Sequence, residues 1–194
     1  MPSNDATLGF RAHSGWTVMV AMAGAVPVLR RRIEMVTGTG MRARQPYHAA
    51  EGMKVDDAQV FLDRTEAAAV EMATDSIRDA MRELESVGKR VERAVILLGS
   101  GKPLPDLAKI LAAHPLIHTA EGVFYRNVLL VACARCGLST AGLREREVPA
   151  DLLAKTAAMG KILGPPWTQD EKLAAAAALS NPSLPYKAPR GESQ

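Results

Sequence analysis

The chain has 194 residues, 47% of them hydrophobic, only 4% aromatic and 23% charged, with a net charge of +3. That length and apolar share suit one compact domain with an aliphatic core, and so small a net charge excludes a strongly basic nucleic-acid arm. No run of about 18 apolar residues is free of charges or breakers, which excludes a helical membrane span.

The opening residues Met1-Pro2-Ser3-Asn4-Asp5 lack the cationic start of a secretory leader. With only two cysteines, Cys133 and Cys136, the expected location is the cytoplasm. The expected organisation is a loose start over 1–7, one α/β domain over 8–180 and a loose tail over 181–194.

Residues 8–23 come first. Phe10, Ala12, Ser14, Trp16, Val18, Val20 and Met22 share one parity, which predicts a long strand with a bulge or close backbone approach at Gly15. Gly24-Ala25-Val26-Pro27 reads as a turn, and 28–36 returns as an antiparallel strand carrying Arg30-Arg31-Arg32. Gln45-Pro46-Tyr47-His48 is extended, either an edge strand or a loop, because Pro46 biases Gln45 away from helix.

Residues 55–87 give the longest signal. Apolar and small residues recur at steps of three and four, which predicts an amphipathic helix capped near Asp56 or Asp57 and stopped by Gly88. Such a helix would be roughly 50 Å long. A small sheet cannot cover that length, so the helix bends or its end packs on a second copy of the chain.

The apolar run 94–98 reads as a buried central strand ending at Gly99-Ser100-Gly101-Lys102. A helix over 106–113 follows. His114 precedes Pro115 and is expected outside the next helix as its cap, with Pro115 at the first helical position and Gly137 as the stop. An exposed strand over 139–148, a helix from Asp151 to about Leu163, and an alanine-rich helix capped by Thr168 complete the pattern.

The order is hairpin first and crossover helices after, which describes a mixed sheet of about five strands flanked by helices. This order resembles the ribonuclease H-like superfamily, and Leu8-Gly9-Phe10 with Gly15-Trp16-Thr17-Val18 distantly resembles the first strand pair of Holliday-junction resolvase relatives. The resemblance implies a ribonuclease H-like fold and a nucleic-acid partner. It also implies an acidic divalent-metal site in the first strand, where this chain carries Arg11 and His13 instead. At the end of the central strand, where a second acid is expected, it carries Ser100.

Two of the four histidines fall in His114-Pro115-Leu116-Ile117-His118-Thr119-Ala120-Glu121. His118 and Glu121 lie one helical turn apart and read as a general base with its orienter, or as two metal ligands completed by His13 or His48. His118, Glu121 and His48 are the candidate catalytic residues; no metal or cofactor is assigned. Arg11, His13, His114 and the glycine turn with Gly99, Ser100 and Lys102 are candidate ligand contacts, the turn suiting a phosphate. The Cys133-Ala134-Arg135-Cys136 pair lacks a second pair for zinc and reads as two ordinary thiols.

Three functions fit. The first is a ribonuclease H-like domain without the acidic metal site that binds nucleic acid or a phosphate-bearing ligand. The second is a hydrolytic enzyme, with or without a metal, using the His/Glu cluster. The third is an interaction module that forms a homodimer through helix 55–87.

Overall fold

The computed structural model describes residues 4–38, 40–99, 103–180 and 182. Its centre is a five-stranded sheet. Strand β1 (Asp5–His13) pairs antiparallel with β2 (Trp16–Ala23), and β2 pairs antiparallel with β3 (Val26–Glu34). Two short helices follow, α1 (Met41–Arg44) and α2 (Pro46–Ala50), and then the long helix α3 (Val55–Ser86). Strand β4 (Arg90–Leu98) lies parallel to β1, and β5 (Ser139–Arg144) lies parallel to β4. Between them come α4 (Leu107–Leu111) and α5 (His114–Arg135), and after them α6 (Ala150–Thr156), α7 (Gly160–Leu163) and α8 (Gln169–Leu179). The spatial order is β3-β2-β1-β4-β5.

Helices α3 and α5 cover one face of the sheet, packing Val70, Ile77, Leu84, Phe124 and Leu129 on Leu8, Phe10, Met19, Ile33 and Ile96. Helix α8 covers the other face, against Val18, Val20, Met22, Val95 and Leu97. Both faces are therefore apolar, as crossover connections require.

That two-sided burial explains why the expected single strand over 8–23 is two strands. Ser14 and Gly15 form a two-residue turn, with Gly15 at φ +83. Phe10 faces Met19 across the hairpin, while Val18 and Val20 point to the opposite face. The shared parity of Phe10 and Val18 continues through the turn, yet their side chains enter different cores. Polarity alternation cannot reveal the reversal when both faces are dry.

Other expectations shift at their ends. Residues 5–7, expected to be loose, form the start of β1, held by pairing with Arg90, Val91 and Arg93. The segment around Pro46, expected as strand or loop, is helical: Gln45 is the non-helical cap and Pro46 opens α2, where a missing N–H costs nothing. Lys54, not Asp56 or Asp57, caps α3; the two aspartates lie in its first turn and complement its dipole. The expected strand over 139–148 stops at Arg144 and turns into a 3-10 helix, Glu145–Glu147. The tail expected to be loose lies outside the described residues, apart from Pro182.

Helix α8 sits against β1 with backbone nearly touching backbone. A Cβ on Gly9 would lie 1.9 Å from the Ala174 carbonyl oxygen. Alanines at 174, 175, 176 and 177 are all fully buried, and Thr168 with Glu171 closes a capping box at the helix start.

Candidate metal centre

The first turn of α5 and the short helix α2 build the candidate centre. His114 is not outside α5 as expected. Ala113 is the cap, His114 is the first helical residue and Pro115 the second. Proline is tolerated there because the first-turn N–H groups have no partner within the helix. His114 and His118 consequently share a face at i and i+4, with Nε2 to Nε2 at 3.1 Å.

Helix α2 brings His48 to the same place. Its ring centroid lies 5.2 Å from that of His114 and 4.7 Å from that of His118. One ligand atom from each of the three imidazoles lies within 4.8 Å of the others. Tetrahedral zinc with Zn–N bonds of about 2.0–2.1 Å needs donors roughly 3.3 Å apart. The His114–His118 pair is already at that spacing, and His48 needs a small inward movement. In the metal-free pair, one Nε2 donates to the other; a cation between them would take both lone pairs.

Glu121 stands behind His48. It is 3% exposed. Its Oε1 accepts from the Tyr47 N–H at 2.8 Å, the His48 N–H at 3.1 Å and His48 Nδ1 at 3.2 Å. Burial pushes the carboxyl above its ordinary value, against the pull of the His48 and Tyr47 donors. A proton on His48 Nδ1 leaves Nε2 with its lone pair free, the carboxylate–histidine arrangement that orients metal ligands. Glu121 Oε2 is buried and has no partner among the described residues. Glu121 was expected to orient His118; it orients His48, whereas His118 meets His114. A carboxylate three residues along the helix from His118 is near it in sequence, but the donors of α2 reach the carboxylate first.

A polar cleft of about 230 Å³ adjoins the cluster, bounded by Ala12, His13, Ser14, Gln45, His118, Glu121 and Gly122. His13 borders it but stays apart from the other three imidazoles. Its ring stacks on Trp16 at 4.1 Å, and its Nε2 lies 3.1 Å from Asp170 Oδ2. Burial, more than the opposing Asp170 charge, lowers its pKa below 6.5.

Of the candidate ligand contacts, Arg11 is occupied by two carboxylates, Asp170 and Glu145. Gly99 follows β4 beside the Arg126 guanidinium, which bonds the carbonyls of Leu97 and Gly122. Ser100 and Lys102 lie outside the described residues. The arginines of β3 are also engaged: Arg30 by the carbonyls of Gly164, Pro165 and Pro166, Arg31 by Glu83, and Arg32 by Glu34 and the Trp16 ring. Asp170 and Glu145 escaped sequence reasoning, although the Thr168–Glu171 spacing would have put Asp170 in the first turn of α8.

No family model matches the chain. A siroheme synthase from Gluconobacter oxydans (strain 621H) is 32% identical over 127 residues, 58% of this chain. The chain spans about a quarter of that relative's length, 27%. Among solved structures, T. thermophilus RuvC in complex with a Holliday junction substrate is similar over 90% of both chains, with 10% identity and a TM-score of 0.53. A second Thermus thermophilus RuvC structure reaches 0.46 with 12% identity over 90% of this chain and 91% of that one.

The fold is therefore ribonuclease H-like, as the order of elements suggested. The acidic divalent-metal site expected of such nucleases does not fit these residues. β1 presents the guanidinium of Arg11 between Asp170 and Glu145, and its one carboxylate, Asp5, sits at the exposed start of the strand.

Proposed function

We propose that the chain is a metal-dependent hydrolase whose centre is His48, His114 and His118 on a ribonuclease H-like scaffold. The observation that carries this reading is the convergence of three imidazole donors within 4.8 Å, one of them backed by a buried carboxylate. Three protein ligands leave a fourth position open, the pattern of catalytic rather than structural sites. A divalent cation held there would supply Lewis acidity and a bound water with a pKa drawn to about 7. Glu121 holds the His48 tautomer. The cleft beside His118 receives the substrate, with Ser14, Gln45 and His13 as its polar wall.

Metal analysis and the visible spectrum of the cobalt-loaded chain test the reading. One equivalent of metal with tetrahedral cobalt bands is expected, falling in each of His48→Ala, His114→Ala and His118→Ala. Hydrolysis of a chromogenic phosphodiester or carboxylic ester should follow metal content. Unchanged stoichiometry in all three variants overturns it.

The likeness to a junction-bound RuvC fold favours a second reading, a nucleic-acid-binding domain. The engagement of Arg11 and of the β3 arginines weighs against it. Retention of a branched DNA probe that falls steeply with salt would support it. A homodimer through α3 is a further proposal, read by light scattering.

A further inference from the structure

On the far side of α2 from the imidazoles lies a second and larger concavity. Its volume is about 540 Å³, and its walls come from α1, α2, α3, residues 35–37 after β3 and Met53. That volume lies within the roughly 300–1,000 Å³ of small-molecule sites. Methionines line it, at 35, 53 and 72, together with Phe61. Thioether side chains adapt to flexible apolar ligands better than branched ones do.

The charge of the lining has one sign. Arg42 and Arg64 both border the groove, and among the described residues no carboxylate does. Elsewhere around α3, arginines hold acids: Arg31 holds Glu83, Arg78 holds Asp75, Arg82 holds Asp79 and Arg135 holds Glu71. Arg42 and Arg64 hold none among the described residues. The positions three and four residues either side of Arg64 are Val60, Phe61, Ala67 and Ala68, so no acid of its own helix lies one turn away; its sequence neighbours Asp63 and Glu66 do not line the groove. Two unpaired guanidinium forks over an apolar trough complement a ligand with one anionic head and an aliphatic body.

We propose that this groove binds a linear aliphatic monocarboxylate. Its chain lies among the methionines and Phe61, and its carboxylate bridges Arg42 and Arg64. The proposal does not depend on the metal centre, because α2 turns Pro46 and Ala49 to the groove and His48 away from it.

Isothermal titration of the full chain with decanoate tests it, with chelator present so that no metal contributes. Saturable one-site binding is expected. Arg42→Gln with Arg64→Gln should weaken it at least about tenfold, the scale of a lost charge-assisted hydrogen bond. Decanol, with the same chain and no charge, should bind weaker by a similar factor. Ala68→Trp, which projects an indole into the groove from an exposed position of α3, should abolish binding while circular dichroism shows the native fold. No saturable heat up to roughly 1 mM, the weak end of specific recognition, overturns the proposal. So does equal affinity in all variants. A dimer in light scattering that Ala68→Trp converts to monomer would assign the groove to a second copy and overturn it as well.

Discussion

Glu121 gathers three N–H donors on one oxygen, two from the backbone at the start of α2 and one from the His48 ring. Glu121→Ala leaves those buried donors without an acceptor and should cost about 3 kcal/mol in urea denaturation. Glu121→Gln keeps an oxygen acceptor and should cost less than half as much, yet still lower metal affinity by about 10–100-fold. Equal metal affinity in Glu121→Gln and wild type would remove the carboxylate from the centre.

His13 gives a pH dependence with a definite sign. The folded chain binds its proton more weakly than the unfolded chain, because burial and the charges of Arg11 and Arg32 outweigh Asp170. Unfolding therefore takes up a proton, and His13 makes the fold less stable as pH drops below about 6.5. Above that pH both states are neutral and the effect vanishes. His13→Gln should show a shallower loss of stability from pH 7 to 5 in parallel denaturation curves. Parallel losses in the two proteins would mean His13 titrates as it does in the unfolded chain.

These residues were only partly legible in advance. His118 and Glu121 stood out by helical spacing, but the working partner of Glu121 is His48, 73 positions away. No local pattern carries that information. It comes from packing α2 against α5.

At the scale of elements, the long helices were legible, whereas the short helices α1 and α2 and the strand ends were not. The period of α3 is plain because one side of it meets water. The middles of β1 and β2 are buried on both faces, so their apolar residues run on through the reversal at Ser14-Gly15 without a change of pattern. That turn is a sensitive point. Gly15 is at φ +83, and a Cβ there would come 2.7 Å from Arg44 Cγ. Gly15→Ala should cost about 1–2 kcal/mol, measured as a lower urea midpoint with unchanged slope. A neutral result would mean that Arg44 and the turn relax at no cost. Likewise, the rule that a residue before proline stays out of the helix put the start of α5 at Pro115, one residue too late. The first helical turn has no hydrogen bond for proline to break, so His114 joins the helix and faces His118.

At the scale of the whole molecule, the order β3-β2-β1-β4-β5 puts the C-terminal end of β1 beside both α5 and α8. The two helices lie on opposite faces of the sheet. The cleft opens on the α5 side, and the Arg11, His13 and Asp170 network closes the α8 side. The mixed sheet was legible from the alternation of strands and crossover helices. The layering was not, since only α8's buried alanines reveal how closely it lies.

That closeness rests on position 9. Asp170 stands one helical turn before Ala174, the residue whose carbonyl presses on Gly9. The hydrogen atom that serves Gly9 as a side chain thus acts as the spacer between two layers. Even a methyl group would lift the helix and draw its aspartate off the arginine and histidine it now grips. Gly9→Ala should cost about 3 kcal/mol and loosen that grip together, visible as a lower melting temperature and a changed His13 ring resonance in NMR. A well-folded variant with an unshifted resonance would show that the layers can part without releasing the acid.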